Sequence, residues 1–552
     1  MSDLTNSKKR NDHNHTLQLS DRQLCDLELI MNGGFSPLDG FLNKKDYQSV
    51  LDNMRLDSGQ LWPIPITLDV DQDFVKKIAV KQKITLRDKE GFALAILTIN
   101  DVWKANYESE ALSIYNTLDQ SHPGVSYLFK EAKEFLIGGK VQKIEDPHHY
   151  DYKTLRHNPK DLKKYFFKKK WKKIVAFQTR NPLHKAHVEM TLRSIKELNA
   201  KLLLHPVIGM TKPGDVDHHT RVRCYKHVMK RYPKDSALLS LLPLAMRMAG
   251  PKEALWHALI RKNYGCTHLV VGRDHAGPGL SEDGNSFYGP YEAQELLIKH
   301  EKEIGIKMVP FKFMVYIPSQ EKYDPLDILE NDMKYETLSG TDLRKLLDDG
   351  KGIPEWFTYP DVAKELEKST PPLLKRGLTI FFTGLSGSGK STLANGLLEK
   401  FLENGSRPVT LLDGDIVRTH LSSELGFSKK HRSLNIQRIG FVASEITKNG
   451  GLAICAPIAP YSNDRKINRK LISRFGGYIE IYVNTSLAKC EERDVKGLYK
   501  LAREGKIKEF TGISDPYEAP KTAEIIIDSS SENPDILVDQ ILKEIKYLGY
   551  ID

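Results

Sequence analysis

Apolar positions fall into distinct regimes along the chain. Up to about residue 165 they come in short β-like pieces broken by Gly and Pro, as in Trp62-Pro63-Ile64-Pro65-Ile66-Thr67, which predicts a β-rich, barrel-like domain. From about 166 to 325, short apolar runs alternate with helical spacing. Ile174 to Phe177, Leu202 to Val207, His268 to Val271 and Phe313 to Ile317 read there as buried parallel strands of a doubly wound sheet. Between the two regimes, the Lys-rich stretch Lys163 to Lys173, carrying Tyr165, Phe166, Phe167 and Trp171, is expected to be a solvated linker. A small linking domain is expected over 326–372, helical at Thr341 to Asp348. Ser369-Thr370-Pro371-Pro372 closes it, because paired prolines stop a helix. A fresh α/β domain is expected over 373–552, opening with a strand at Leu378 to Thr383 and a helix spaced by Leu393, Leu397 and Phe401.

The 552 residues suggest three or four folded units, and 40% hydrophobic with 28% charged residues excludes a disordered or fibrous chain. A net charge of +10, from 82 Lys+Arg against 72 Asp+Glu, is too thinly spread for a dedicated nucleic-acid binder but suits small anionic substrates. The cysteines Cys25, Cys224, Cys266, Cys455 and Cys490 form no C-x-x-C pair, which argues for reduced thiols. Met1 to Ser20 is polar, and no run approaches the roughly 20 apolar residues of a membrane span, so a soluble, cytoplasmic protein is expected, with neither membrane nor nucleic acid as partner.

Gly384-Leu385-Ser386-Gly387-Ser388-Gly389-Lys390-Ser391 fits G-x-x-x-x-G-K-[ST] between a predicted strand and a helix. Glycines at 384, 387 and 389, with Ser388, let backbone N–H groups turn onto a phosphate. Lys390 balances charge on the outer phosphates, and Ser391, followed by Thr392, offers a hydroxyl to Mg²⁺. Later strand ends carry Asp413-Gly414-Asp415 with Arg418, then Phe427, Arg432-Ser433-Leu434-Asn435 and Ala456-Pro457-Ile458-Ala459-Pro460-Tyr461. With Asp494-Val495-Lys496-Gly497-Leu498-Tyr499 and Phe510-Thr511-Gly512-Ile513, these segments resemble adenylylsulfate kinase over essentially the whole domain. The resemblance implies transfer of the ATP γ-phosphoryl group to the 3′-hydroxyl of adenosine 5′-phosphosulfate. On that reading Asp415, Arg418, Phe427, Arg432, Asn435, Ile458, Lys496, Phe510 and Thr511 hold the acceptor. Asp415 orients or deprotonates the hydroxyl, and the two phenylalanines stack on adenine. Part of the family has a phosphorylated serine where this chain has Ala459, so direct in-line transfer is expected.

The second constellation is Gln178-Thr179-Arg180-Asn181-Pro182-Leu183-His184-Lys185-Ala186-His187, which follows a strand and enters a helix. Its two histidines fit core packing, a metal pair, or contact with ATP phosphates at the helix start. Gly272-Arg273-Asp274-His275-Ala276-Gly277-Pro278-Gly279, Met246-Arg247-Met248-Ala249-Gly250-Pro251, Gly34-Phe35-Ser36-Pro37-Leu38-Asp39-Gly40-Phe41-Leu42 and Phe287-Tyr288-Gly289-Pro290-Tyr291-Glu292 join it, and residues 17–365 resemble ATP sulfurylase. The resemblance implies a PUA-like N-terminal domain and a nucleotidylyltransferase domain in which a sulfate oxygen attacks the ATP α-phosphorus and releases pyrophosphate. Gln178, Arg180 and the Ala276 backbone then hold sulfate, and Thr179, Arg180 and Asn181 form the catalytic turn. His184 and His187 face ATP, while Gly272, Arg273, Asp274, His275 and Met314 line the adenosine side, with Phe311 linked to an ATP-induced change.

Together the two resemblances imply a bifunctional, homo-oligomeric enzyme with two ATP sites and Mg²⁺, which makes 3′-phosphoadenosine 5′-phosphosulfate. Two alternatives stand beside this: a sulfurylase whose kinase-like domain only regulates, and a sulfurylase run backwards in sulfur oxidation.

Overall fold

The computed structural model describes residues 15–552 apart from 213, 331, 406, 495, 496 and 531, and apart from the side chain of Asp415. Two compact units result, one holding residues up to 339 with 353–366, the other 340–352 with 367–552. The stretch 326–372 thus contributes to both.

In the first unit, β1 (Thr16–Gln18), β2 (Gly40–Phe41), β3 (Leu68–Val70), β4 (Lys83–Arg87), β5 (Ala93–Lys104) and β6 (Phe135–Lys143) form one mixed sheet. Its order is β1-β4-β5-β6-β2, with β3 also on β6. The β-rich expectation holds, but the pairings trace an open path and no closed sheet is found among the described residues, so the barrel is corrected to an open sheet. Its two edges are strands of only three and two residues, one way in which a sheet edge is blunted.

A second, wholly parallel sheet follows, built from β7 (Ile174–Phe177), β8 (Lys201–Leu204), β9 (Ala237–Leu239), β10 (His268–Val271) and β11 (Lys307–Pro310) in the order β11-β10-β7-β8-β9. Every residue of β7 and β10 is buried, as expected of strands covered on both faces. The chain runs from β7 to one side through β8 and β9, then returns to place β10 on the other. The crevice beyond the carboxyl ends of β7 and β10 is therefore the topological switch point, where open α/β sheets bind ligands.

Two further expectations are corrected. β12 (Met314–Ile317) pairs antiparallel with β13 (Lys322–Pro325) in a hairpin outside the parallel sheet, and β11 takes the edge position. The Lys-rich stretch is not a solvated linker, because Pro159–Lys168 is a helix capped by the Asn158 side chain. It buries Leu162 and Phe166, with Trp171 stacked on Phe166 at 5.6 Å. The lysines point outward while Leu162 and Phe166, at helical spacing, reach the core with Trp171, and Phe167 stays exposed.

The core of the first unit is continuous from the mixed sheet to the parallel one. Phe35, from the glycine-rich segment near the N-terminus, packs between Trp62 and Trp256 at 5.8 and 5.1 Å, against the buried helix Gly250–Asn263. Beside it Arg247 Nη2 donates to Asp26 Oδ2 at 2.6 Å, with both side chains at most 2% exposed.

The second unit is a parallel sheet of β14 (Leu378–Thr383), β15 (Val409–Asp413), β16 (Leu452–Ala456), β17 (Gly477–Val483) and β18 (Ile525–Ile527) in the order β15-β16-β14-β17-β18. Alternation decides which side chain serves which face: Leu378, Ile380 and Phe382 enter one core cluster and Phe381 the other. The helix Lys390–Asn404 buries Leu393, Leu397 and Phe401 as their spacing predicts. Again the first strand lies at the switch point, between β16 and β17. Among the described residues no helix is long and apolar enough to cross a membrane.

Removing Asp26 would leave the Arg247 cation buried without its counter-ion, so Asp26→Ala is expected to destabilise the first unit by about 3–5 kcal/mol. The chain's five tryptophans, Trp62, Trp103, Trp171, Trp256 and Trp356, all belong to this unit, so tryptophan fluorescence during urea unfolding reads the effect there.

Candidate active sites

The turn after β7 is tied down by its own residues. Thr179 Oγ1 donates to the Asn181 carbonyl at 2.9 Å and accepts the Asn181 N–H at 3.0 Å, and Tyr225 donates to that same carbonyl at 2.9 Å. Arg180 is largely buried, and its Nη1 donates to both oxygens of Asp215, at 2.6 and 2.7 Å. Asp215 also accepts the Lys212 N–H, while Lys212 Nζ reaches the Pro278 carbonyl at 2.6 Å, joining the loop after β8 to the loop after β10. Single-sequence reading missed Asp215, since nothing in its own segment marks it as the partner of a residue 35 positions away.

His184 caps the helix Lys185–Glu197, and its N–H donates to His187 Nδ1 at 3.2 Å. A neutral His187 therefore carries its proton on Nε2, as a donor. His184 packs on Phe357 at 4.2 Å, and its Nδ1 lies 3.1 Å from the Thr358 hydroxyl. Burial pushes His184 down to about 3, helped by His187, and burial pushes His187 down to about 4. Both rings are thus neutral at pH 7, and no third protein ligand completes a metal site with them among the described residues.

The loop after β10 bends through two residues other than glycine in the left-handed region, Asp274 at φ 52° and Ala276 at φ 55°. Such strain persists only where the surroundings enforce it. The Asp274 N–H donates to the Pro290 carbonyl, and the Ala276 carbonyl accepts the Gly250 N–H. His275 Nε2 lies 3.1 Å from His257 Nδ1, and Gln178 Nε2 lies 3.3 Å from His257 Nε2. Phe311 links the two loops: its ring lies 6.2 Å from Phe177 and 6.0 Å from His187, and Gly272 faces its side chain. Arg273 is exposed and pairs with Asp274, and Met314 opens the β12 hairpin, buried.

In the second unit Gly384, Gly387 and Gly389 have φ of 153°, 73° and 95°, and a Cβ at Gly384 would meet the Val483 carbonyl at 2.7 Å. Ser388 is fully buried, its carbonyl accepting from Thr485 and Ser529. Lys390 Nζ folds back onto the Leu385 carbonyl at 2.6 Å, inside the loop. Ser391 Oγ donates to Asp413 Oδ2 at 2.7 Å, and Thr392 is exposed beside it. A hydroxyl next to a carboxylate, at the start of a helix, is a hard oxygen donor pair that fits Mg²⁺. Asp413 ends β15, one strand removed from β14 in the sheet, so only the fold brings it to Ser391.

Arg432 is the hub of a hydrogen-bond network in this unit. Its Nη1 donates to Thr511 Oγ1 at 3.0 Å and to the Glu509 carbonyl, and its Nη2 donates to Tyr461 OH and Asp515, both at 2.8 Å. Asn435 is buried with Oδ1 unpartnered. The Arg418 guanidinium lies 4.4 Å over the exposed Phe427 ring. Phe510 meets Tyr499 edge-on at 5.0 Å, and Tyr499 OH donates to the Ser386 carbonyl of the glycine loop. The Ile458 carbonyl accepts from Thr383 Oγ1 at 2.8 Å. Ala459 is fully buried at φ 46°, its carbonyl held by Arg465 and Thr383. Asp415 lies in the short helix Gly414–His420, its side chain outside the description, and Lys496 lies outside the described residues.

Family models match most of the chain: a PUA-like domain over residues 2–146, ATP-sulfurylase over 153–369 and adenylylsulphate kinase over 376–528. A sulfate adenylyltransferase of Phaeosphaeria nodorum is 50% identical over 97% of this chain and 93% of its own length. Another, of Mycosarcoma maydis, is 52% identical over 93% of this chain and 91% of its own. Among solved structures, a hexameric APS kinase from Thiobacillus denitrificans, 36% identical, covers 98% of this chain and 94% of its own with a TM-score of 0.79. Two switch-point sites and matches along most of the chain agree, and this chain belongs to the sulfate adenylyltransferase family, with an ATP-sulfurylase region followed by an adenylylsulphate kinase domain.

Proposed function

We propose that the chain makes 3′-phosphoadenosine 5′-phosphosulfate in two steps, the first unit forming adenosine 5′-phosphosulfate from sulfate and ATP and the second phosphorylating its 3′-hydroxyl. The observation that carries this reading is the complete glycine loop of the second unit, with Lys390 inside it and Ser391 against Asp413. That hydroxyl and carboxylate pair supplies the Mg²⁺ ligands that phosphoryl transfer calls for.

Sulfate is a weak nucleophile with no proton to lose, so the first site has to position it and disperse charge at the α-phosphorus. Arg180, Gln178 and the Ala276 backbone hold sulfate in this reading. Asp215 fixes the Arg180 guanidinium through Nη1, leaving its other edge for the anion. Neutral His187 donates from Nε2 toward the ATP phosphates, with His184 behind it, while Gly272 to His275 and Met314 flank adenosine. Thr179 and Asn181 keep the turn in shape.

In the second site Arg418, Arg432, Asn435, Ile458, Lys496 and Thr511 hold the phosphosulfate and ribose, Phe427 and Phe510 take adenine between them, and Asp415 orients the 3′-hydroxyl. Ser391 and Asp413 would hold Mg²⁺, which supplies charge neutralisation on the phosphates. Ala459 offers no nucleophile, so the phosphoryl group passes straight from ATP to the acceptor. The protein is proposed to work in the cytoplasm as a homo-oligomer, with the sulfurylase spanning 1–165 and 166–325, a linking segment at 326–372 and the kinase at 373–552.

A second reading, in which the kinase-like domain only binds nucleotide and regulates, has one point in its favour: the curated relatives are named for sulfate adenylyltransferase alone. Purified protein with Mg·ATP, radiolabelled sulfate and pyrophosphatase separates the two. Label is expected in the 3′-phospho product, and Lys390→Ala is expected to stop it at adenosine 5′-phosphosulfate. Label stopping there with the parent enzyme would establish the regulatory reading. Asp413→Asn is expected to raise several-fold the Mg²⁺ concentration for half-maximal kinase rate while leaving the sulfurylase rate alone; an unchanged requirement would remove Asp413 from the metal site.

The two buried histidines also set a pH dependence. Their folded values, about 3 and about 4, lie below the ordinary 6.5, so the unfolded chain takes up protons first as the pH falls. Their contribution to stability is present above about 6.5 and is lost as the pH drops toward 4. His184→Asn with His187→Asn is expected to flatten this loss in tryptophan-monitored unfolding between pH 7 and 4.5; an unaltered slope would contradict neutral imidazoles.

A further inference from the structure

Behind the first site lies a second layer of polar side chains that the reaction itself does not call for. The helix Gly250–Asn263 carries Glu253, His257 and Arg261 at successive i, i+4 positions, all fully buried. Burial pushes Glu253 up, but hydrogen bonds from His257 and from the backbone N–H groups of Arg247 and Ala249 outweigh it and hold the carboxyl below its ordinary value. The carboxylate is therefore ionised, and His257 Nε2, 3.2 Å from Glu253 Oε1, carries the proton. Burial, with the Arg261 cation one turn on, lowers His257 against the pull of Glu253, so its ring is neutral and Nδ1 is an acceptor. The proton of His275 Nε2 satisfies that acceptor at 3.1 Å.

The direction of this chain bears on Gln178. With its Nε2 placed 3.3 Å from His257 Nε2, two N–H groups oppose each other and Gln178 Oε1 is buried without a partner. A half-turn of the carboxamide, whose two ends differ only in which atom is named, removes the first fault and turns the second into a buried donor without an acceptor. Oε1 then accepts from His257 Nε2–H, shared with Glu253, and the amide N–H₂ takes the buried position that lacks a partner, at the turn that leaves β7. A dianion with acceptors on every oxygen needs donors there; the opposite orientation would present a carbonyl to it.

We propose that His257 is a positioning residue for sulfate, its Nε2–H turning the Gln178 amide so that the N–H₂ end faces the anion. Glu253 fixes the proton on His257, and the same helix holds the second sulfate ligand through the Gly250 N–H bond to the Ala276 carbonyl. The inference rests on reading Gln178 as a sulfate ligand.

The test is steady-state kinetics of the full-length protein in the sulfurylase direction, with pyrophosphatase, varying sulfate and ATP separately. His257→Gln supplies an N–H at about the reach of Nε2, whereas the amide of His257→Asn reaches only about as far as Nδ1, keeping the His275 contact and losing the one to Gln178. H257N is expected to raise KM for sulfate about tenfold, with KM for ATP changed less than about twofold, and H257Q to stay within about threefold of the parent. In the H257N background, Gln178→Ala is expected to add little further, because both changes remove one donor. Equal KM values for sulfate in H257N and H257Q, or an equal rise for both substrates, would overturn the proposal. Should H257N fail to fold by tryptophan fluorescence, Glu253→Gln leaves the imidazole in place but frees its proton, and an unchanged KM for sulfate would overturn it as well. If Q178A alone leaves KM for sulfate unchanged, the assignment of Gln178 fails and this inference with it; if Q178A raises it and H257N does not, only the role of His257 fails.

Discussion

Strands β7 and β14 are each hydrogen-bonded on both edges by parallel neighbours and are buried along their whole length. A strand so enclosed has no side chain to spare for chemistry, so reactive groups can stand only where the chain leaves the sheet. In both units the order in which later strands are laid down puts that exit between diverging neighbours. The Gln178 to His187 turn and the Gly384 to Ser391 loop occupy equivalent places for this reason, although one presents arginine and histidine side chains and the other backbone N–H groups.

The two sites are held rigid by different means. Around the first, charge is buried in pairs and chains: Arg247 with Asp26, Arg180 with Asp215, Glu253 with His257 and then His275. Each member would be costly alone in so dry a place, and each is tolerable because its partner is fixed. The arrangement leaves the orientations of these side chains already decided. In the second, conformation does the same work. Glycines adopt backbone angles that a side chain would resist, and Ser388, Thr485 and Ser529 anchor the loop from beneath.

Ala459 shows how closely backbone and chemistry are joined. It sits in the left-handed region, fully buried, with its carbonyl gripped from two sides. A methyl group in that position leaves the turn intact and contributes no reactive atom.

Local motifs were legible because their physics is local. The glycine loop, the helix stop at the paired prolines and the buried apolar strands each depend on neighbours within a few positions, so their residues alone announce them. Lys163 to Lys173 misled because charge density was weighed above the helical spacing of Leu162 and Phe166, and Met314 to Ile317 misled because an apolar run does not say which strand it will meet. What composition and spacing could not show are the partners: Asp215 for Arg180, Asp413 for Ser391, His257 for Gln178, and the open rather than closed first sheet. By itself the sequence determined the buried strands, the glycine loop and most of the helices. Only the tertiary structure decided how those groups are paired and aimed, because a hydrogen bond between residues far apart in the chain depends on the fold that brings them together.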